Sequence, residues 1–314
     1  MVPYAPRTFF RHATLKRGGI DVAEQVTARA DKAPPAGLLL FISIIAISFA
    51  AIFVKWSDAP ASISSMYRMY LAALFLLPIV WWKREDLRRL KARDFYILAG
   101  SGIFLALHFA LWFGSLKLTS VASSTVILAM QPMIAMAGAY LVYREKSDWK
   151  SISTALIALT GIGIIGLGDL GISRDYLIGD LLSFLSVLAI VAYLLIGQST
   201  VRRISHWLYS FFVFLAAGVA LNIYNLLAGV PMTGYDAGEW QVFFLLALFP
   251  TIAHVIYNLL LNYISTSAVS MSILGEPVGA TILAVILLGE SVTPLQMTGG
   301  LLVLGSVYWF LRRT

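Results

Sequence analysis

Ten times along this chain the sequence passes through about 20 mostly apolar residues, the length a helix needs to cross a hydrocarbon core. The runs fall at 36–56, 61–82, 95–116, 120–143, 150–168, 179–201, 206–228, 240–263, 267–287 and 294–311. Backbone amides have no water to bond inside a bilayer, so each run can only be a helix. The breaks carry turn and charge chemistry: Asp58-Ala59-Pro60, Lys83 to Asp94, Arg144 to Lys150, Gly168 to Gly179 and Gly229 to Glu239. The thinnest break is Ile264-Ser265-Thr266.

Composition closes off the soluble alternative. Hydrophobic residues make up 59% and charged residues 12% of the 314, against about 45–50% and 25% in soluble domains. Too few charges remain to wet the surface of two globules. There is no cysteine, hence no disulfide framework, thiolate metal site or cysteine nucleophile. The net charge of +7 does not point to nucleic acid, because the basic residues sit in the short segments between apolar runs.

That distribution orients the chain. With the N-terminus inside, 19 Lys and Arg fall on the inner side, only Lys55, Lys117 and Arg174 on the outer, and Arg68 lies within the second span. The positive-inside rule then places both termini in the cytoplasm. Trp56, Trp81, Trp82, Trp149, Trp207, Trp240 and Trp309 fall at span ends, where aromatic belts form. Residues 1–35 hold six basic and three acidic residues without an apolar core and read as a cytoplasmic tail, not a signal peptide.

The chain also repeats itself. A shift of 146 aligns His108 with His254, Ala122 with Ala268 and Ser124 with Ser270. A shift of 145 aligns Gln131-Pro132 with Glu276-Pro277 and Glu145 with Glu290; one of 143 aligns much of the first span with the sixth. Each copy, 36–168 and 179–311, would hold five spans, and an odd count forces the second copy to enter the membrane from the opposite side. The expected fold is an all-α membrane protein of ten transmembrane helices, in two inverted five-helix repeats around a central cavity.

These features resemble the drug/metabolite transporter superfamily, in particular its EamA-type members. The matching residues are Pro132 and Glu145 with Gly161-Ile162-Gly163, then Pro277 and Glu290 with Gly299-Gly300 and Gly305. Arg68, in Tyr67-Arg68-Met69-Tyr70, is similar to the family's second-helix arginine; Phe212 stands at its place in the second copy. Within that superfamily the chain as a whole resembles the YddG-type amino-acid exporters. The resemblance implies export of amino acids, broadly and including aromatic ones.

Polar groups in a membrane are costly and so are functional candidates. Ser101, His108, Trp112 and Ser115 share one face of the third span; Thr251, His254, Asn258 and Asn262 share one face of the eighth. His108, Trp112, Gln131, Tyr193, His254, Tyr257 and Asn258 are the expected substrate contacts. The plainer reading is that such groups only tie helices together, and for Trp112 belt membership competes with substrate stacking. Of the expected contacts Tyr193 is a weaker candidate, as are Gln198, Ser43 and Ser186.

Arg68, Pro132, Glu276 and Pro277 are the expected gating or coupling residues. Glu276 could carry a coupling proton, though pairing with Arg68 or bonding beside Pro277 is the plainer account. Arg68 could snorkel outward, lock the outer gate or bind a substrate carboxylate, with the lock favoured. Each proline removes an amide halfway along its span, a kink that would free a carbonyl for a cavity. Gly275 and Gly279 read as helix packing.

Enzyme patterns fail. Gly166-Leu167-Gly168-Asp169 and Tyr235-Asp236 imitate an intramembrane aspartyl protease in reversed order and at loop ends. The chain contains no HExxH, GxxxxGK[ST] or GxSxG, and His12, His108, His206 and His254 lack metal-ligand spacing. The expectation is a multi-pass transporter of the cell inner membrane, monomeric, with a small-molecule substrate and no cofactor, metal or nucleic acid. One apolar, aromatic lining with a single inward arginine suits an amino-acid zwitterion better than a nucleotide sugar or polyamine. Export of another drug or metabolite, a passive facilitator and a non-transporting sensor or scaffold are the alternatives.

Overall fold

The computed structural model describes residues 35–88, 90–119, 121–145, 147–166, 174–289 and 294–311. The tail, Asp169, Glu290 and Arg312–Arg313 lie outside the described residues. Among those residues the chain is entirely helical. Apart from a single helical turn at Arg84–Leu87, the helices are α1 (Ala36–Trp56), α2 (Ala61–Trp82), α3 (Ala92–Leu118), α4 (Val121–Leu128), α5 (Gln131–Tyr143) and α6 (Trp149–Gly166). They are followed by α7 (Arg174–Thr200), α8 (His206–Leu227), α9 (Ala237–Leu260), α10 (Thr266–Ile273), α11 (Glu276–Leu288) and α12 (Pro294–Leu311).

The first residues of α2, α3, α4, α5 and α6 (61, 92, 121, 131 and 149) each reappear 145 residues later as the first residues of α8, α9, α10, α11 and α12. Terminators repeat too. Arg144 ends α5 and Gly289 ends α11 in the left-handed region, at φ 58° and 68°. Glycine adopts that conformation without a Cβ clash, whereas Arg144 is the only non-glycine residue at positive φ among the described ones.

Packing follows the same exchange. α3 lies along α7 and α1 along α9; α5 meets α7 and α11 meets α1; α3 meets α8 and α9 meets α2. α2 pairs with α8, and α6 with α12. Close approach is possible where glycine removes a side chain: a Cβ on Gly279 of α11 would sit 2.1 Å from Ser48 Oγ of α1, and one on Gly161 of α6 would sit 2.7 Å from the Gly299 carbonyl oxygen of α12. The Gly275–Gly279 pair therefore serves packing, with Ile44 and Ser48 of α1 filling its groove.

Seven helical stretches among the described residues are long and apolar enough to cross a membrane, the seventh running through the α10–α11 junction. Their outward faces stay apolar. Leu38, Phe41, Ile42 and Ile45 of α1 are exposed while Ser43, Ile47, Ala50 and Ala51 are buried, the reverse of a water-facing helix. Trp81, Trp82 and Trp149 are exposed at helix ends, whereas Trp112 is fully buried; its belt reading is overturned.

At the expected kinks each span is interrupted by a tight turn whose residues keep right-handed helical dihedrals. The fourth span divides into α4 and α5, the ninth into α10 and α11. Pro132 and Pro277 stand in the first turn of the second piece, where a missing amide costs nothing. The bond each proline cannot make would have reached Leu128 and Ile273 four residues back.

Candidate functional site

Three helices supply the site's side chains through their buried stripes. α2 turns Arg68 inward with Ser64, Ser65, Met69 and Ala72; α3 turns in Leu105, His108, Phe109 and Trp112; α9 turns in Thr251, His254, Tyr257 and Asn258. These positions recur at three- and four-residue spacing, which puts each set on one helical face.

Phe109 lies at the centre. The Arg68 guanidinium carbon is 3.5 Å from its ring centroid, and His254 meets it edge-on at 5.4 Å. His254 is further enclosed by Tyr193 at 6.1 Å, Tyr257 at 6.0 Å and Phe214 at 6.4 Å. Beside it, His108 stacks on Trp112 at 5.9 Å. The result is an aromatic box around one imidazole, with a cation on its side.

The polar atoms of this region divide into two groups. Some tie helices together: Ser101 Oγ to Tyr209 Oη at 2.6 Å, and the hydroxyls of Ser115, Ser124 and Ser183 to one another at 2.8 Å. Tyr193 Oη donates to Asn258 Oδ1 at 2.7 Å, and Asn258 Nδ2 donates to Ser210 Oγ at 2.9 Å. His108 Nδ1 is 3.0 Å from the Ser186 carbonyl. A carbonyl only accepts, so Nδ1 carries the hydrogen and a neutral ring would offer Nε2 as an acceptor.

The second group is buried without a hydrogen-bond partner: Arg68 Nε and Nη1, Trp112 Nε1, Thr251 Oγ1, His254 Nδ1, Tyr257 Oη and Glu276 Oε1. Each such atom is expensive in a core; those of Arg68, Trp112, His254 and Tyr257 lie in or beside the box, and that of Glu276 lies at the breaks.

The two span breaks meet near by. A pocket of about 10 Å³ is lined by Leu128 and Pro132 from one break, and by Ser270, Ile273, Glu276 and Pro277 from the other. That is room for about one water molecule. Gln131 Nε2 donates to Ser270 Oγ at 3.2 Å, tying α5 to α10.

Beyond the box, each end of the bundle is fastened. At one end, Glu239 in the first turn of α9 accepts from Ser57 Oγ at 2.7 Å and from the Asp58 amide at 2.5 Å. Lys117 Nζ donates to the Ser57 carbonyl, and Tyr67 Oη donates to the Met232 carbonyl at 2.5 Å. At the other end, Asp94 in the first turn of α3 pairs with Arg203 at 2.8 Å, and Gln198 Nε2 donates to Glu145 Oε1 at 2.6 Å.

Of the residues expected from sequence, His108, Trp112, Tyr193, His254, Tyr257 and Asn258 come together in or beside the box. Gln131, Pro132, Glu276 and Pro277 gather at the breaks. Arg68 is fully buried, so it does not snorkel; it is in no ion pair among the described residues, so the expected pairing with Glu276 is not formed. Gln198 also accepts from the Thr266 amide at 2.7 Å and serves as a helix tie at the bundle end. Phe109, Phe214 and the end fastenings were missed by sequence reading. Asp94 and Glu239 were accessible, being aligned by the same shift of 145 that aligned Gln131 with Glu276.

Comparison with known proteins gives the family and the fold. The profile of the EamA-like transporter family matches residues 35–167 and again 177–312. An uncharacterized transporter of Synechocystis sp. is 23% identical over 259 residues, covering 77% of this chain and 73% of its own. The uncharacterized transporter YetK of Bacillus subtilis is 22% identical over 312 residues, covering 93% and 89%. A solved crystal structure superposes with a TM-score of 0.73 at 17% identity, covering 88% of this chain and 98% of its own; it shares the fold.

Proposed function

The chain belongs to the EamA-like transporter family, and from that premise we propose that it is a secondary transporter exporting small amphipathic metabolites, foremost amino acids including large neutral and aromatic ones. The observation that carries this reading is the aromatic box with its unpartnered polar atoms, lying between the two copies. An apolar lining with a few convergent polar groups suits a small ligand with an apolar side chain. One inward arginine is too little for a phosphate-bearing substrate, and one deep carboxylate too little for a polyamine.

The working architecture is ten spans in two inverted five-span copies. Two facts support it: helix starts repeat at an offset of 145, and the inter-helix pairings exchange between copies. The excess of basic residues in the segments joining spans 2–3, 4–5 and 6–7 supports an inner-membrane orientation with cytoplasmic termini. The Ser57–Glu239 fastening is then the outer gate and Asp94–Arg203 the inner one. Both fastenings are formed in the structure, the arrangement an occluded intermediate would have. Alternating access follows when one fastening opens while the other holds, the broken spans at Pro132 and Pro277 providing the hinges. Two copies enclose one site, so a monomer suffices.

The test is influx of labelled phenylalanine into liposomes containing the purified protein, with unlabelled amino acids, a polyamine and a nucleotide sugar as competitors. Saturable influx competed by neutral amino acids alone is the expected result. No influx above empty liposomes, with or without a pH gradient, sinks the amino-acid reading and turns the search to other metabolites.

A further inference from the structure

We propose that Arg68 and Glu276 form a zwitterion seat, Arg68 taking the carboxylate and Glu276 the ammonium of one bound amino acid. The inference rests on the transport reading above and deepens it to named contacts. Arg68 is 0% exposed and Glu276 4%. Their charges interact through space, yet no ion pair joins them among the described residues. Arg68 Nε and Nη1 and Glu276 Oε1 are all without hydrogen-bond partners.

Two opposite charges buried in one region gain most by closing on each other or by each holding a partner. This pair does neither. Phe109 covers one face of the guanidinium, which satisfies the cation from above but leaves the in-plane Nε and Nη1 without an acceptor. The in-plane edge is the part of an arginine that grips a carboxylate with two parallel bonds. Glu276 has an oxygen to spare, and the Tyr257 hydroxyl is unpartnered as well.

A ligand carrying one charge would leave the other buried and unpaired. An α-amino acid carries both on neighbouring atoms of a single carbon, so it completes both ends at once. Its apolar side chain would then pack against the aromatic rings around Phe109 and His254. Discrimination against single-charge analogues follows, because each leaves a charged group desolvated and unmatched.

The experiment compares phenylalanine, phenethylamine (no carboxylate) and 3-phenylpropionate (no ammonium) as competitors of labelled phenylalanine influx and as stabilisers of the purified protein against heat. In the unmodified protein both analogues should bind weaker by about tenfold or more. Arg68→Gln should bring phenylalanine down to the level of phenethylamine, and Glu276→Gln should bring it down to that of 3-phenylpropionate.

Influx of phenylalanine with analogues competing equally well overturns the seat and leaves the transport reading standing. Heat stabilisation that discriminates as expected, without influx, keeps the seat and removes the transport reading. Should Arg68→Gln fail to fold, the analogue series on the unmodified protein and on Glu276→Gln decides. Retained full discrimination in Glu276→Gln overturns the assignment.

Discussion

Glu239 stands 145 residues after Asp94, and each carboxylate, from the first turn of its helix, holds the turn that ends a helix of the opposite copy. Asp94 on α3 holds Arg203 in the α7–α8 turn; Glu239 on α9 holds Ser57 and Asp58 in the α1–α2 turn. The positions correspond, but the chemistry does not. One fastening is an ion pair whose arginine side chain is 50% exposed. The other sets a carboxylate on a hydroxyl and a backbone amide.

The two gates should therefore differ in strength. A half-exposed ion pair is worth about 0–1 kcal/mol, whereas the bond from the buried Ser57 hydroxyl to the charged Glu239 is worth about 1.5–3 kcal/mol, roughly a 10- to 150-fold shift in an equilibrium. Glu239→Gln should open the outer side more than Arg203→Gln opens the inner. The chain has no cysteine, so a single Thr251→Cys in the box reports opening without background. The expected result is faster labelling by an impermeant maleimide from outside in Glu239→Gln, and little change from that side in Arg203→Gln. Equal labelling in both would contradict the ranking.

The cation beneath the box rests on one ring. Phe109→Leu keeps an apolar side chain of similar bulk but removes the π face under Arg68, a contact worth about 2 kcal/mol when desolvated. Lower thermal stability and a raised KM for phenylalanine are expected together. Phe113→Leu, one turn along the same helix and also buried but not under the guanidinium, should change KM far less. Matching KM shifts in the two variants would show that Phe109 acts by bulk alone.

Helix packing gives a test independent of any substrate. Gly279→Ala would drive its Cβ to 2.1 Å from Ser48 Oγ and 2.9 Å from Ser48 Cβ, so α1 and α11 must part, at about 1–3 kcal/mol. Pairing it with Ser48→Gly should recover much of that loss. Gly300→Ala, with nothing within 4 Å of the added carbon, should leave the melting temperature in detergent near its original value. A Gly279→Ala melt unchanged from the parent would mean the α1–α11 contact is looser than described.

How much of this was legible in the chain follows from which interactions are local. α1 and α2 keep the bounds expected from apolar length, because in lipid the helix is the only way to satisfy a backbone. The breaks at 130 and 275 were announced by Pro132 and Pro277, but a proline alone does not distinguish a kink from a break; tight turns such as Met130 N to the Ile127 carbonyl decide that. His108, Tyr193, His254 and Asn258 were marked by the cost of polar groups at depth. Phe109 and Phe214 carry no such mark, since an aromatic residue in an apolar helix looks the same whether it faces lipid or a guanidinium. The sorting of polar groups into helix ties and unpartnered atoms was also out of reach, because partners such as Ser210 or Ser186 come from distant helices.

The same offset of 145 supplies the test of inversion. Asp86 lies in the α2–α3 link and Met232 in the α8–α9 link, and they are equivalent by position, one residue from the full shift. If each copy holds five spans, an odd number separates the two links and they face opposite sides of the membrane; an even number would put them on the same side. Both sites can be reached, since Asp86 is partly exposed and the residues flanking Met232, Pro231 and Thr233, are exposed. Single cysteines at Asp86 and Thr233 should accordingly label differently in intact cells: Thr233→Cys at once with an impermeant reagent, Asp86→Cys only after permeabilisation, as six basic residues between 83 and 93 would dictate. Labelling of both from one side would refute the inverted arrangement, and with it the assignment of the two fastenings to opposite gates. The reverse pattern would keep the inversion, exchange the two gates and turn the chain over in the membrane.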